Sequence, residues 1–125
     1  MQCVAYAAIY PTACRGVVDW EMVRRTMNCF CGMSRNEERL IAARNAIDSI
    51  RKSINKFYWS YKVSRDFLET RNIADTAAII IDSALARRET RACHIREDFP
   101  ETDDKDYGGI TLVRKNGSPV IQRVQ

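Results

Sequence analysis

From Leu40 to Tyr61 the chain repeats apolar residues at the pitch of a helix that buries one side. Leu40, Ala43, Ile47, Ile50, Ile54, Phe57 and Tyr61 follow one another at intervals of 3, 4, 3, 4, 3 and 4 residues. That is the heptad seam of a helix packed along its length against others. Arg44, Asp48, Arg51, Lys52 and Lys56 lie between the seam positions. Ser34 or Asn36 supplies an N-cap oxygen for the free amides of the first turn, and Glu37 and Glu38 suit the positive end of the helix dipole. Ahead of this helix, Trp20, Val23, Met27 and Phe30 share one face of a shorter one. It is predicted from Asp19, as N-cap, to Phe30, with Gly32 as a left-handed stop. Behind it, after a break at Lys62-Val63-Ser64, Ser64 caps a third helix. Its seam runs Phe67, Arg71, Ala74, Ala78, Ile81 and Leu85, widened by Ala77 and Ala84. The pattern carries this helix on into Arg87, Arg88 and Arg91, cations that suit its C-terminal end.

A single amphipathic helix cannot bury its own seam, and short connections make successive helices antiparallel neighbours. The predicted fold class is therefore all-α: an antiparallel three-helix bundle, with a C-terminal loop and a small β-hairpin. Thr102 to Gly109 reads as an acidic loop. Ile110 to Arg114 and Val120 to Val124 read as hairpin strands around Lys115-Asn116-Gly117-Ser118, because Asn-Gly supplies the positive φ angles of a tight turn. Pro119 cannot donate to a ladder and puts its strand at an edge. The domain division is 1–18, a segment without an assigned role; 19–101, the three-helix domain; and 102–125, the acidic loop and hairpin tail.

Composition narrows the function more than it names it. The net charge is +4 over 125 residues, with Lys and Arg interleaved among Asp and Glu, so a nucleic-acid partner is not predicted. A free-standing basic helical interaction module, resting on Arg24-Arg25 and Arg87-Arg88, is kept as an alternative. The five cysteines are odd in number and irregular in spacing, which reads as reduced thiols in a cytoplasmic protein. No apolar run approaches the ~20 residues of a membrane span.

Catalytic motifs are missing. The sequence has no Gly-x-Gly-x-x-Gly, no Walker loop and no nucleophile elbow. Cys29-x-Cys31 is too tight for a zinc pair, and Asp103-Asp104-Lys105-Asp106 lacks calcium-loop spacing. No catalytic, cofactor-binding or metal-binding residue is predicted. The aromatic run Phe57-Tyr58-Trp59-Tyr61 reads as helix seam plus an interface residue, Trp59. The segment of note is RRETRACHIREDFPE, residues 87–101, with the only histidine of the chain, His94. Arg91, His94, Arg96 and Asp98 are the candidate inter-domain contacts: hydrogen bonds among them fix the loop, while Ile95 and Phe99 alternate with the charges.

Three segments resemble a known family. ALARRETRACHIREDFPETDD, residues 84–104, is similar to a stretch shared by the flavoproteins of the L-aspartate oxidase, succinate dehydrogenase and fumarate reductase superfamily. FYWSYKVSRDFLETRN, residues 57–72, resembles the junction between the second and third helices of L-aspartate oxidases. DWEMVRRTMNCFCGMSRNEERL, residues 19–40, resembles the opening of the superfamily's C-terminal domain, with Gly32, Met33 and Arg35 matching its Gly-apolar-Arg step. Ala92 stands where the family usually has Gly, and Tyr107 where Trp is common. The resemblance implies a spectrin-repeat-like C-terminal domain that supports a flavin-binding domain. That domain, on the same or a separate chain, is the implied partner, and FAD is implied for the full-length parent with none in this chain. The parent activity implied is FAD-dependent oxidation of L-aspartate to iminoaspartate in NAD biosynthesis. The alternative parent is a succinate dehydrogenase or fumarate reductase flavoprotein subunit.

Overall fold

A computed structural model describes residues 12–58, 64–114 and 117–123, with backbone alone for 12–18 and Phe57. Three long helices carry the fold: α1 (Thr12–Phe30), α2 (Glu37–Tyr58) and α3 (Arg65–Ala86). Two short strands, β1 (Ser34–Arg35) and β2 (Ile95–Arg96), pair in parallel; a one-turn helix α4 (Asp104–Tyr107) leads into β3 (Gly109–Leu112) and β4 (Val120–Arg123). The three long helices pack pairwise, as the seams predict. Arg44 pairs with Asp82 at 3.1 Å and Arg51 with Asp75 at 2.8 Å. Partner numbers fall on α3 as they rise on α2, so the two helices are antiparallel.

The α2 seam is the core. Leu40, Ala43, Ile47, Ile50 and Ile54 are all buried, and Ala74, Ala77, Ala78, Ile81 and Ala84 of α3 face them. The alanines let the two backbones approach, so Leu40 and the α2 isoleucines fill most of the space, joined by Ile81 of α3 and Val23 of α1. Phe67 and Leu85 pack at the margins of this cluster. Arg71 sits instead over the ring of Tyr58, 5.3 Å from its centroid. Both predicted caps form. Asn36 accepts from the amide of Arg39 at 2.9 Å, and Ser64 from that of Phe67 at 3.3 Å. Phe57, Trp59 and Tyr61 have side chains outside the described residues.

Several expectations need correction. Helix α1 starts at Thr12 and passes through Asp19, because no proline interrupts 12–18 and one internal glycine, Gly16, is tolerated at about 1 kcal/mol. Of its predicted face only Val23 is fully buried; Met27 packs at the margin, while Trp20 and Phe30 stay 36% and 38% exposed. Gly32 follows α1 without a positive φ; its carbonyl accepts from Arg35 Nε at 2.6 Å. Helix α3 stops at Ala86, with Arg87 extended, so Arg87, Arg88 and Arg91 lie past its end. The acidic loop contains α4, because the Asp103 carboxylate accepts from the amides of Lys105 and Asp106 and nucleates a turn. The hairpin forms in antiparallel register, with Leu112 opposite Val120. Its connection is therefore longer than a two-residue turn. Gly117 donates to the carbonyl of Arg114 at 3.0 Å without a positive φ; Lys115 and Asn116 lie outside the described residues.

Candidate inter-domain site: the loop that closes the bundle

The last turn of any helix leaves carbonyls without partners. In α3 these are met from downstream. Arg96 Nη1 donates to the carbonyls of Ala84 at 3.1 Å and Arg87 at 3.4 Å. His94 Nε2 lies 3.2 Å from the same Arg87 oxygen, so Nε2 carries the proton there. His94 Nδ1 then accepts from Arg35 Nη1 at 3.0 Å. Both ring nitrogens are engaged within the chain, which leaves His94 no free nitrogen for acid–base work.

Arg96 is fully buried, and its remaining donors meet carboxylates. Nε and Nη2 form a fork on Asp98 at 2.7 and 2.6 Å, and Glu37 lies 3.5 Å from Nη2. The Phe99 ring covers the guanidinium at 5.1 Å. Asp98 in turn accepts the backbone amide of Glu37, the first residue of α2, at 3.0 Å. One ion pair thus caps two helices: the carboxylate at the positive end of α2, the guanidinium at the negative end of α3. The parallel pair β1–β2 holds it in register. Ile95 donates to Met33 at 3.2 Å and Glu97 to Arg35 at 2.8 Å.

A second buried charge organises the chain that follows. Glu89 has no exposed surface. It receives a fork from Arg91 at 3.0 and 3.0 Å, the guanidinium of Arg87 at 3.1 Å, and the amide of Asp103 at 3.0 Å. Arg91 reaches on to Asp104, and Arg87 to the carbonyls of Tyr107 and Gly109. Glu89 therefore ties α4 and the hairpin to the bundle. Between the two charges Thr90 bonds the amide of Arg96 at 2.9 Å and the carbonyl of Phe99 at 2.9 Å.

The electrostatics follow from these contacts. The Arg96 fork holds the Asp98 carboxyl down at about 2. Burial pushes Glu89 upward, but the Arg91 fork, the Asp103 amide and the nearby positive charges outweigh it and hold it below the usual range. Burial pushes His94 down, reinforced by the charges of Arg35, Arg96 and Arg87 against the bond to the Arg87 carbonyl. Burial also raises the Cys31 thiol. The loop contains one backbone outlier, Ala92, with φ 49°, at the turn where Arg91 and His94 bridge.

Of the four predicted residues, Arg96 and Asp98 bond each other, His94 shares the Arg87 carbonyl with Arg96, and Arg91 bridges to His94 by its backbone while its side chain serves Glu89. Arg96 is buried and His94 partly so; Arg91 keeps 38% and Asp98 28% of its side chain exposed. Sequence reasoning missed Glu89, Arg35, Arg87, Thr90 and Glu37 as their partners. The i,i+2 opposition of charge in Glu89-x-Arg91, matched by Arg96-x-Asp98, was a signal for Glu89; nothing local marks Arg35, Arg87, Thr90 or Glu37 as partners.

The sequence is similar to that of a set of known proteins. A fumarate reductase flavoprotein C-terminal family matches residues 20–124. L-aspartate oxidase 1 of Ralstonia nicotianae is 39% identical over 84 residues, which cover 67% of this chain and 16% of that protein. The L-aspartate oxidase of Pseudomonas aeruginosa is 41% identical over 83 residues, covering 66% and 15%. The succinate dehydrogenase flavoprotein subunit of Rickettsia conorii is 33% identical over 97 residues, covering 72% and 16%. The chain thus spans about a sixth of the length of these relatives.

Proposed function

The chain belongs to the fumarate reductase flavoprotein C-terminal family, and from that premise we propose that it is the helical support domain of an FAD-dependent L-aspartate oxidase. The observation that carries the reading is the closed loop. Its charged groups bond one another and the helix ends, so its chemistry is that of a brace and not of a reaction centre. The flavin does not fit these residues. Among the described residues the strands are two or four residues long, and no glycine-rich turn between strand and helix is present to cradle a pyrophosphate. FAD and substrate are then held by the upstream part of the parent enzyme, and this chain supplies a rigid unit for that part to rest on. Arg91 and Asp98, which keep exposed surface, are the loop's contacts to it, with Glu89 holding Arg91 and Arg96, beside His94, holding Asp98 from behind. We take residues 19–101 as the unit, preceded by the first turns of α1 from Thr12 and followed by 102–125 as its tail. No described helix is long and apolar enough to cross a membrane, and a cytoplasmic parent is part of this proposal.

The test is a chimera in which this chain replaces the matched segment of the Ralstonia nicotianae enzyme. Retained FAD and aspartate oxidation per bound flavin near the parent value support the reading. A folded chimera that loses FAD refutes it. A second reading, a succinate dehydrogenase or fumarate reductase subunit, is favoured by the match to the Rickettsia conorii protein. A gene for an iron–sulfur subunit beside this one favours that reading, and one for quinolinate synthase favours the first.

A further inference from the structure

Helix α1 carries more apolar surface than the bundle uses. Val23 alone of its described apolar side chains is buried; Trp20, Met22 and Phe30 are exposed. On α3, Ile73 and Ile80 are 36% and 43% exposed. Trp20 and Met27 on α1 and Ile73 and Ile80 on α3 line one open groove of about 430 Å³, with Val23 and Ala77 between them. Among the described residues that line it, Arg24 alone is charged, and Arg24 already pairs with Glu21 at 3.5 Å and lies over the Trp20 ring. Asn28, Asn72 and Thr76 are polar but uncharged. The groove therefore suits an apolar, uncharged occupant with a few hydroxyls at its margin.

The sequence holds such a segment. Residues 1–11, MQCVAYAAIYP, contain no Asp, Glu, Lys, Arg or His. They lie outside the described residues, but the structure fixes where they are tethered, because α1 begins at Thr12. The short link after Phe30 sets the end of α1 beside the start of α2, where Arg39 reaches the Cys29 carbonyl at 3.3 Å. Since α2 runs antiparallel to α3, α1 and α3 are parallel, and the Trp20–Ile73 end of the groove is the end nearer the tether. Along the helix axis Trp20 lies about 12 Å and Met27 about 22 Å beyond Thr12. Eleven extended residues reach about 36 Å, enough to double back over the whole groove. Pro11 suits the reversal, since the residue before a proline avoids helical backbone. At about 3.3 Å per extended residue, Tyr6 comes level with Trp20 and Ile73, and Val4 with Met27 and Ile80. Val4, Tyr6 and Ala8 then share one face of the segment, and the Tyr6 hydroxyl has amide partners at hand.

We infer that residues 1–11 fold back along α1 and cover the α1–α3 groove, with Val4 and Tyr6 seated between the walls. A tether this short holds the segment at a millimolar effective concentration, so it occupies the groove ahead of a second copy of the chain in dilute solution. The inference is independent of the parent enzyme's identity. It gives a role to a segment that has no counterpart in the match to residues 20–124.

The experiment is isotope-edited NMR on the full 125-residue chain. Nuclear Overhauser contacts are expected from the Tyr6 ring to the Ile73 methyls and from the Val4 methyls to those of Ile80. Tyr6→Asp, which changes no residue of the core cluster, should abolish both sets. Ile80→Glu should do the same, while the Ile47 and Ile81 signals of the core keep their positions and report an intact bundle. Absence of both sets of contacts in the wild-type chain overturns the inference. Contacts that appear solely between labelled and unlabelled copies in a mixed sample make a second copy the occupant and overturn it too. Groove signals that shift only when the upstream part of the Ralstonia nicotianae enzyme is added, with no contact to Val4 or Tyr6 beforehand, do the same and leave the support-domain reading standing.

Discussion

Replacing Arg96 with Met removes a charge and five donors while keeping most of the volume, and it should cost the domain about 3–4 kcal/mol. The magnitude comes from what the substitution strands. Asp98 loses its fork, and the carbonyl of Ala84 loses its donor in a buried position. Breaking a buried ion pair by deleting one partner typically costs about 3–5 kcal/mol, and an unmet buried carbonyl about 1–3. Asp98 keeps 28% of its side chain exposed, so water takes back part of its loss, and the lower half of the range is appropriate. A domain of this size has about 5–15 kcal/mol in total. Urea unfolding followed by circular dichroism resolves such a loss as a fall in midpoint of about 1–2 M at unchanged slope.

Two controls separate the fork from mere burial. Arg96→Lys keeps the charge but cannot make the planar fork, so it should lose a large part of the same stability. The cycle of Arg96→Met with Asp98→Asn should show a coupling above about 1 kcal/mol. The pH dependence gives a further check. The folded pKa of Asp98 is depressed to about 2, chiefly by Arg96. Between that value and its unfolded pKa of about 4 the unfolded chain binds more protons, so this contribution is full above pH ~4 and vanishes as pH falls through ~2. Wild type and Arg96→Met should therefore converge in acid. A loss under 1 kcal/mol at pH 7, or curves that stay parallel down to pH 2, would show that Arg96 does not fasten the helix ends.

Other consequences are smaller and independent. Ala92 holds φ at 49°, a conformation that suits Gly, so Ala92→Gly should raise stability by about 0.5–1 kcal/mol, seen as a thermal midpoint higher by about 3 °C; a drop would mean that the turn is unstrained. Ile50→Ala, at a seam position 6% exposed, should lose about 2–5 kcal/mol in urea unfolding, and no loss would remove it from the core. Gly109→Ala places a methyl group against the carbonyl of Gln122, so it should expose the β3 amides to hydrogen exchange; unchanged protection refutes the contact. His94 is held neutral by burial and by Arg35, Arg96 and Arg87. Its folded pKa is below the unfolded one, so it favours folding above pH ~6.5 and less as pH falls below that. His94→Gln should flatten the decline in urea midpoint between pH 7 and 5, and an equal decline in both proteins would place the titration elsewhere.

The bundle and the braced loop differ in how far the sequence discloses them. The α2 seam was legible because burial on one side of a helix writes a 3–4 repeat, and Leu40 to Ile54 obey it without a break. The same repeat in α1 was legible as a face but not as a fate. Trp20 and Phe30 share that face and remain exposed, since periodicity reports which residues point together and not whether anything lies opposite. The braced loop was harder still. Arg91, His94, Arg96 and Asp98 stand out as a dense charged run, yet such runs are usually solvated. Burial of Glu89 and Arg96 depends on groups more than fifty residues away in one case, since Arg96 meets Glu37 and β2 meets β1. A two-residue parallel pair has no local signal. What the sequence did contain is the opposition of charge at i,i+2 in both Glu89-x-Arg91 and Arg96-x-Asp98. In a helix such a pair points apart. It forms a fork only where the chain is extended or turning, so the same four residues that announce a charged surface also imply that the helix has already ended. Read that way, the stop of α3 at Ala86 follows from the pairing, and the arginines beyond it belong to the brace.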